Sequence, residues 1–228
     1  MYTLHIGNKN YSSWSLRPWL SMRMLDIPFE ERLTPFPAGP SFDFYRRFSP
    51  NGRVPCLVDD GWAVWDSLAI VEYLAERHQG VWPAEPKARA WARSAAAEMH
   101  SSFTAMRNDC PMSCGVRVAL SPKSDALKHD IFRMGDLWND GLARFGGPFL
   151  TGDRFTAVDA FFAPIAFRAQ SYGVVFEGAA TAYPQRLLDL PAMREWYAAG
   201  LAETWREAGH EAEIAAAGTI TEDLRATV

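Results

Sequence analysis

Tyr11-Ser12-Ser13-Trp14-Ser15-Leu16-Arg17-Pro18 stands where a strand-like run gives way to an apolar-periodic helix. Upstream, Tyr2 to Ile6 alternates large and small groups, as a half-buried strand does. Downstream, Trp14, Leu16, Trp19, Leu20 and Met24 recur at helical spacing and predict a helix from about Ser13 to Leu25. Ser12 and Ser13 therefore fall at a helix start, where the first backbone N–H groups have no intrahelical acceptor. Such a junction can hold a sulfur or an anion. The same two hydroxyls can equally serve as an ordinary helix cap.

Working outward, Asp26-Ile27-Pro28 reads as a turn and Phe29 to Leu33 as a second strand, which completes a βαβ unit. Thr34 to Phe48 is rich in Pro, Gly and aromatic residues and reads as a loop with an irregular helix near Phe42 to Arg47. Ser49-Pro50-Asn51-Gly52 signals a turn. A hairpin follows, with strands Val54 to Val58 and Trp62 to Trp65 about a turn at Asp59 to Gly61. Pro55 withholds a ladder N–H, so it marks a strand end, an edge or a cis bond. Leu68, Ile70, Val71 and Leu74 then share a helical face running to about His78, capped by Asp66 or Ser67.

Residues 1–80 thus form an α/β module with a mixed sheet, and the proline-bearing stretch 81–87 reads as a linker. From 88 to 228 the pattern is helical. Lys87 to Arg107 reads as one helix, Asp109 to Ser124 as a break, and Ala126 to Phe145 as a further helix. Thr156-Ala157-Val158-Asp159 has the form of a capping box opening an unusually apolar helix, with Phe155 placed as a hydrophobic staple against Ala160 or Phe161. Gln170 to Glu207 holds one or two more helices, and the alanine-rich tail after Gly209 is expected to be partly mobile.

The chain has 228 residues, 48% hydrophobic and 22% charged, with a formal net charge of −4. A mildly acidic balance argues against a nucleic-acid binder, which needs a basic stripe. No apolar run approaches the roughly 18 residues of a membrane span. Met1 to His5 enters a strand directly and leaves no room for a signal peptide, so the expected location is cytoplasmic. Cys56, Cys110 and Cys114 are the only cysteines, an odd count that argues against a disulfide framework. Cys110 and Cys114 have no nearby histidine pair to complete a metal site, and none is expected. Scattered His78, His100, His129 and His210 show no ligand spacing either.

Three places converge beside one sheet edge in such a module: the Ser12–Ser13 junction, Val54-Pro55 and Asp66-Ser67. A hydroxyl with helix-start N–H groups stabilises a thiolate, because the charged form is the one being hydrogen-bonded. The start of the helix at Ser67 suits a carboxylate. The order Ser12-Ser13-Trp14-Ser15-Leu16-Arg17, Asn51-Gly52-Arg53-Val54-Pro55, Asp66-Ser67-Leu68-Ala69-Ile70 and Gly152-Asp153-Arg154-Phe155-Thr156-Ala157-Val158-Asp159 resembles the cytosolic glutathione transferase family, serine-type and zeta-like or of a related bacterial group. The likeness spans both regions.

That resemblance implies a thioredoxin-like N-terminal domain with a four-stranded mixed sheet, an all-helical C-terminal domain, a cis Pro55, a homodimer, and glutathione as co-substrate. It maps the catalytic hydroxyl to Ser13 or Ser12, with Ser13 favoured by the position of Arg17. It assigns the backbone of Val54 to the cysteinyl part of glutathione and Ser67 to the γ-glutamyl carboxylate, with Asp66 alongside. Arg53 offers a guanidinium fork to the glycyl carboxylate. Met106, Arg107, Met112 and Cys114 become candidates to line the pocket for a small apolar electrophile. Arg17 is expected to pair with Glu72 or Asp66, or to lie against a dimer surface. Trp14 stands where zeta members usually carry cysteine, which weakens an assignment as a maleylacetoacetate isomerase. Conjugation is the leading reading. A glutathione-dependent isomerisation and a glutathione-binding or protein-interaction module with little turnover are its alternatives. No Gly-x-Ser-x-Gly elbow or partner histidine supports a serine hydrolase.

Overall fold

The computed structural model describes residues 1–39 and 41–227, apart from the side chain of Ser41; Pro40 in the expected loop and Val228 at the end of the expected second domain lie outside them. Strand β1 (Tyr2–Ile6), helix α1 (Ser13–Met24) and strand β2 (Phe29–Leu33) form the βαβ unit, β1 and β2 running parallel with Leu4 opposite Glu31. A short helix α2 (Ser41–Tyr45) precedes the hairpin of β3 (Cys56–Asp59) and β4 (Trp62–Trp65). Asp60 and Gly61 both take positive φ, 46° and 85°, so the hairpin closes on the turn that matches strand twist. The sheet order is β2-β1-β3-β4, with β3 antiparallel to both neighbours. Helix α3 (Ser67–Ala75) completes the module, its first turn held by the Asp66 carboxylate accepting from Leu68 N at 2.8 Å. The sheet and helices match the thioredoxin-like expectation.

The second half comprises α4 (Pro86–Ser101), α5 (Thr104–Asp109), β5 (Val116–Leu120), α6 (Asp125–Phe145), α7 (Ala157–Tyr172), α8 (Tyr183–Leu188), α9 (Pro191–Ala202), α10 (Ala208–Ala217) and β6 (Gly218–Asp223). Helix α7 is the centre of this domain, with every residue from Ala157 to Ala169 buried. The capping box is present: the Asp159 carboxylate accepts from Thr156 N at 2.9 Å and from Leu150 N at 3.1 Å, while Tyr183 Oη donates to it at 2.7 Å.

Three expectations need correction. The single helix over Lys87 to Arg107 is two, broken where Phe103 turns left-handed at φ 59°; the Arg107 guanidinium ties the break by donating to the carbonyls of Met99, His100 and Ser102. The tail after Gly209 is ordered as α10 and β6. The helical domain also carries one two-stranded ribbon, β5 paired antiparallel with β6, joining segments about a hundred residues apart that no local pattern connects.

Helix α1 is sandwiched between the sheet and α7, which is why its polar residues Ser15, Arg17 and Ser21 are as buried as Leu16 and Trp19. No helix among the described residues is long and apolar enough to cross a membrane.

Candidate active site

The turn before α1 decides which serine is available. Ser12 N donates to Asn8 O at 2.9 Å and Ser13 N to Tyr11 O at 2.9 Å, so both backbone donors are spent within the turn. The open donors expected at these two residues move two positions along, to the N–H groups of Trp14 and Ser15, for which α1 offers no acceptor. The Ser12 hydroxyl points inward and donates to Ser15 Oγ at 2.7 Å, which in turn accepts from Gly7 N at 3.2 Å. It does not cap the helix. Both serines border the cleft, and Ser12 is committed to this internal chain.

Two clefts meet at Trp14. The first, of ≈ 340 Å³, has Ser12, Ser13, Phe36, Tyr45, Arg53 and Val54 on the sheet side and Arg107, Pro111, Met112, Arg168, His210 and Glu213 on the helical side. The second, of ≈ 300 Å³, is bounded by Asn51, Arg53, Val54, Pro55, Asp66, Ser67 and His100. Trp14, Arg53 and Val54 border both, so the two clefts adjoin at these residues, with the serines on the first. The Val54–Pro55 peptide is cis, and Arg53 is exposed at the rim. The Ser67 hydroxyl is buried without a hydrogen-bond partner, which fits a ligand acceptor such as a carboxylate. Behind it, His100 Nε2 lies 3.5 Å from Asp66 Oδ2; burial comes first among the causes that lower the His100 pKa.

The structure therefore brings Ser12, Ser13, Arg53, Val54, Pro55, Asp66 and Ser67 around two adjoining clefts, together with Arg107 and Met112 in the first. It does not bring Met106 or Cys114 there. Met106 is fully buried in the helical core, and Cys114 is fully buried with its thiol donating to Lys9 O at 3.3 Å; burial pushes that thiol far up. Arg17 is a second correction. Glu72 pairs with Arg93 and Asp66 faces His100, leaving Arg17 fully buried, its guanidinium 4.2 Å from the Trp14 ring centre and 4.9 Å from that of Phe161. None of its three side-chain nitrogens has a hydrogen-bond partner among the described residues.

Sequence reasoning missed Arg168, Phe36, Tyr45, Pro111, His210 and Glu213 in the first cleft and His100 in the second. Arg168 had a signal, as the lone cation in a largely apolar helix. His210 had none: α10 folds back so that its ring stacks on Tyr11 at 4.9 Å and Phe36 at 5.0 Å, a placement set by tertiary structure. No cluster of metal-ligating side chains occurs among the described residues.

A thioredoxin-like module, a helical domain centred on a capping box and a hydroxyl-bearing helix start beside a cleft define the glutathione transferase class. Comparison with known proteins agrees: residues 11–77 match the glutathione S-transferase N-terminal domain and residues 124–199 the C-terminal domain. The chain belongs to the glutathione S-transferase superfamily. Among curated relatives, the stringent starvation protein A homolog of Histophilus somni is 27% identical over 132 residues, 57% of this chain and 58% of that protein. The match thus spans less than two thirds of that relative's length. A probable maleylacetoacetate isomerase of Caenorhabditis elegans is 24% identical over 189 residues, 79% of this chain and 86% of that protein. A glutathione transferase homolog from Burkholderia GL BGR1, solved with bound glutathione, superposes with a TM-score of 0.65 at 21% identity, covering 87% of this chain and 97% of that one.

Proposed function

We propose that the chain is a glutathione transferase in which Ser13 donates its hydroxyl hydrogen to the glutathione sulfur. The observation that carries this reading is the division of labour between the paired serines: Ser12 is bound to Ser15, whereas the Ser13 hydroxyl has no hydrogen-bond partner among the described residues and Ser13 borders the first cleft. A hydroxyl and the open N–H groups at the start of α1 favour the charged form of a thiol and lower its pKa. Val54 offers its backbone to the cysteinyl part, Ser67 its unpartnered hydroxyl to the γ-glutamyl carboxylate beside Asp66, and Arg53 its guanidinium to the glycyl carboxylate. The thiolate then attacks a small electrophile held in the first cleft. The serine hydroxyl is a donor throughout and never the nucleophile.

The test is titration of the bound thiol by its ultraviolet absorbance. Ser13→Ala should raise the thiol pKa by about one unit, equivalent to the loss of a charge-assisted hydrogen bond, and slow conjugation more than it weakens glutathione binding. Ser12→Ala should leave that titration nearly unmoved. An unchanged titration in Ser13→Ala would remove the assignment.

Isomerisation is the second reading, supported by the likeness to the probable maleylacetoacetate isomerase. It needs the same thiolate and differs in having no leaving group. We also propose a homodimer, supported by the solvent-facing Trp62 and Trp65 on β4, and a reducing, cytoplasmic setting, supported by three buried cysteines with no disulfide.

A further inference from the structure

Charge in the first cleft is unevenly distributed. Arg53, Arg107 and Arg168 border it against one carboxylate, Glu213. Glu213 is exposed, so water screens it, whereas Arg168 is 5% exposed and Arg17, directly behind Trp14, is fully buried.

The hydrogen bonds of these arginines leave their charge standing. Among the described residues, Arg107 donates only to the carbonyls of Met99, His100 and Ser102, and Arg168 only to those of Cys110 and Pro164. Arg17 donates to no group among the described residues. The ion pairs of the described residues fall elsewhere, as in Arg93 with Glu72 and Arg133 with Glu98. Burial and the neighbouring Arg107 push Arg168 down to about 10 and Arg17 well below its ordinary range. Asp66 attracts Arg17 from the second cleft, and Asp130 attracts Arg107 while accepting from Met106 N; neither carboxylate borders the first cleft. Uncompensated cations in a low-dielectric wall create a field that favours an anion.

We infer that the electrophile carries an acidic group, which docks between Arg107 and Arg168 while its apolar, unsaturated body lies against Trp14, Phe36 and Met112. Arg17 adds its charge from behind Trp14, whose ring also has the Arg107 guanidinium 4.7 Å from its centre. This inference rests on the transferase reading and names the substrate class that the reading leaves open.

4-Chloro-3-nitrobenzoate and its methyl ester provide a matched pair. In both, the sulfur electron pair forms a C–S bond at the ring carbon bearing chlorine, the C–Cl bond breaks with its pair leaving as chloride, and the thiol proton passes to water. Kinetics should show kcat/KM for the acid about 10- to 100-fold above the ester once intrinsic reactivities are divided out, the range of a charge-assisted bidentate contact. Turnover is not needed for the second measurement. The conjugates S-(4-carboxy-2-nitrophenyl)glutathione and its aryl methyl ester should differ in Kd, measured by calorimetry on the unaltered protein, by the same factor in favour of the acid. Arg107→Gln and Arg168→Gln should each erode that ratio, and Arg107→Lys should keep part of it. Equal affinity for the two conjugates, preference for the ester, or binding of neither overturns the inference. An intact acid preference beside an unmoved thiol titration in Ser13→Ala would instead overturn the serine assignment and leave the anion site standing.

Discussion

Arg17 shows what the site costs. Burying a guanidinium without a carboxylate or a hydrogen bond costs several kcal/mol, and two desolvated contacts with aromatic faces return about 2 kcal/mol each at best. A methionine of similar reach would keep the packing against Trp14 and Phe161 without the desolvation penalty. Arg17→Met should therefore raise the stability of the ligand-free protein by about 1 kcal/mol or more, seen as a higher urea midpoint at unchanged slope. The same variant should narrow the preference for the acidic conjugate. A lower midpoint would make Arg17 a packing strut and remove charge storage from its role. The sequence could show that an arginine follows the serines; it could not show this surrounding. Helix spacing points to neighbours on the same element or the next, hence the expected pairing with Glu72 or Asp66. The residue that covers Arg17, Phe161, comes from α7 in the other domain. The place of Ser13 at a helix start, by contrast, was legible because a helix start is a local event, and what sets its hydroxyl apart from that of Ser12 is one further local contact, Ser12 with Ser15.

At the level of the element, α7 is the piece on which both clefts depend, because it carries Arg168 and packs against α1 and α4. Its first turn converges on Asp159, which satisfies Thr156 N, Leu150 N and the Tyr183 hydroxyl at once. Removing it strands three buried donors, each worth about 1–3 kcal/mol, so Asp159→Ala should destabilise by about 3–5 kcal/mol. Thr156→Ala removes one cap and should cost about 1 kcal/mol. Denaturant titrations of both variants followed by far-ultraviolet circular dichroism would check the ratio, and comparable losses would show that the network is not centred on Asp159. This box was readable from four consecutive residues because capping is written in local chemistry. The break between α4 and α5 was not: alanine-rich sequence continues the helical period through Ser102 and Phe103, and the helix stops because Phe103 turns left-handed and is buried at 4% exposure. The β5–β6 ribbon was illegible for a different reason, since its strands pair across about a hundred residues and no local pattern joins them.

The whole molecule joins its two domains through the loop that begins the site. Glu203, just past α9, accepts from Lys9 N at 2.6 Å and Asn10 N at 3.2 Å, while Trp196 Nε1 donates to Lys9 O at 2.9 Å. The serine turn is thereby fixed to the helical wall opposite it. The other side of the sheet is left open: β4 pairs only with β3, and on and beside it Trp62 and Trp65 are 71% and 44% exposed over a groove of ≈ 390 Å³ reaching Ala69 and Tyr73. An unpaired edge bearing two large aromatic side chains is a liability unless covered. A second copy related by a twofold axis would cover it with the same surface, aromatic against aromatic. Sedimentation of the unaltered protein should therefore report about twice the mass of one chain. Trp62→Glu with Trp65→Glu should halve it, because four carboxylates would then be buried at the contact without partners. The substitutions lie outside the folded core, so the thiol titration of the monomer should match that of the dimer. A protein that sediments as a single chain before any substitution would leave this face without its proposed partner.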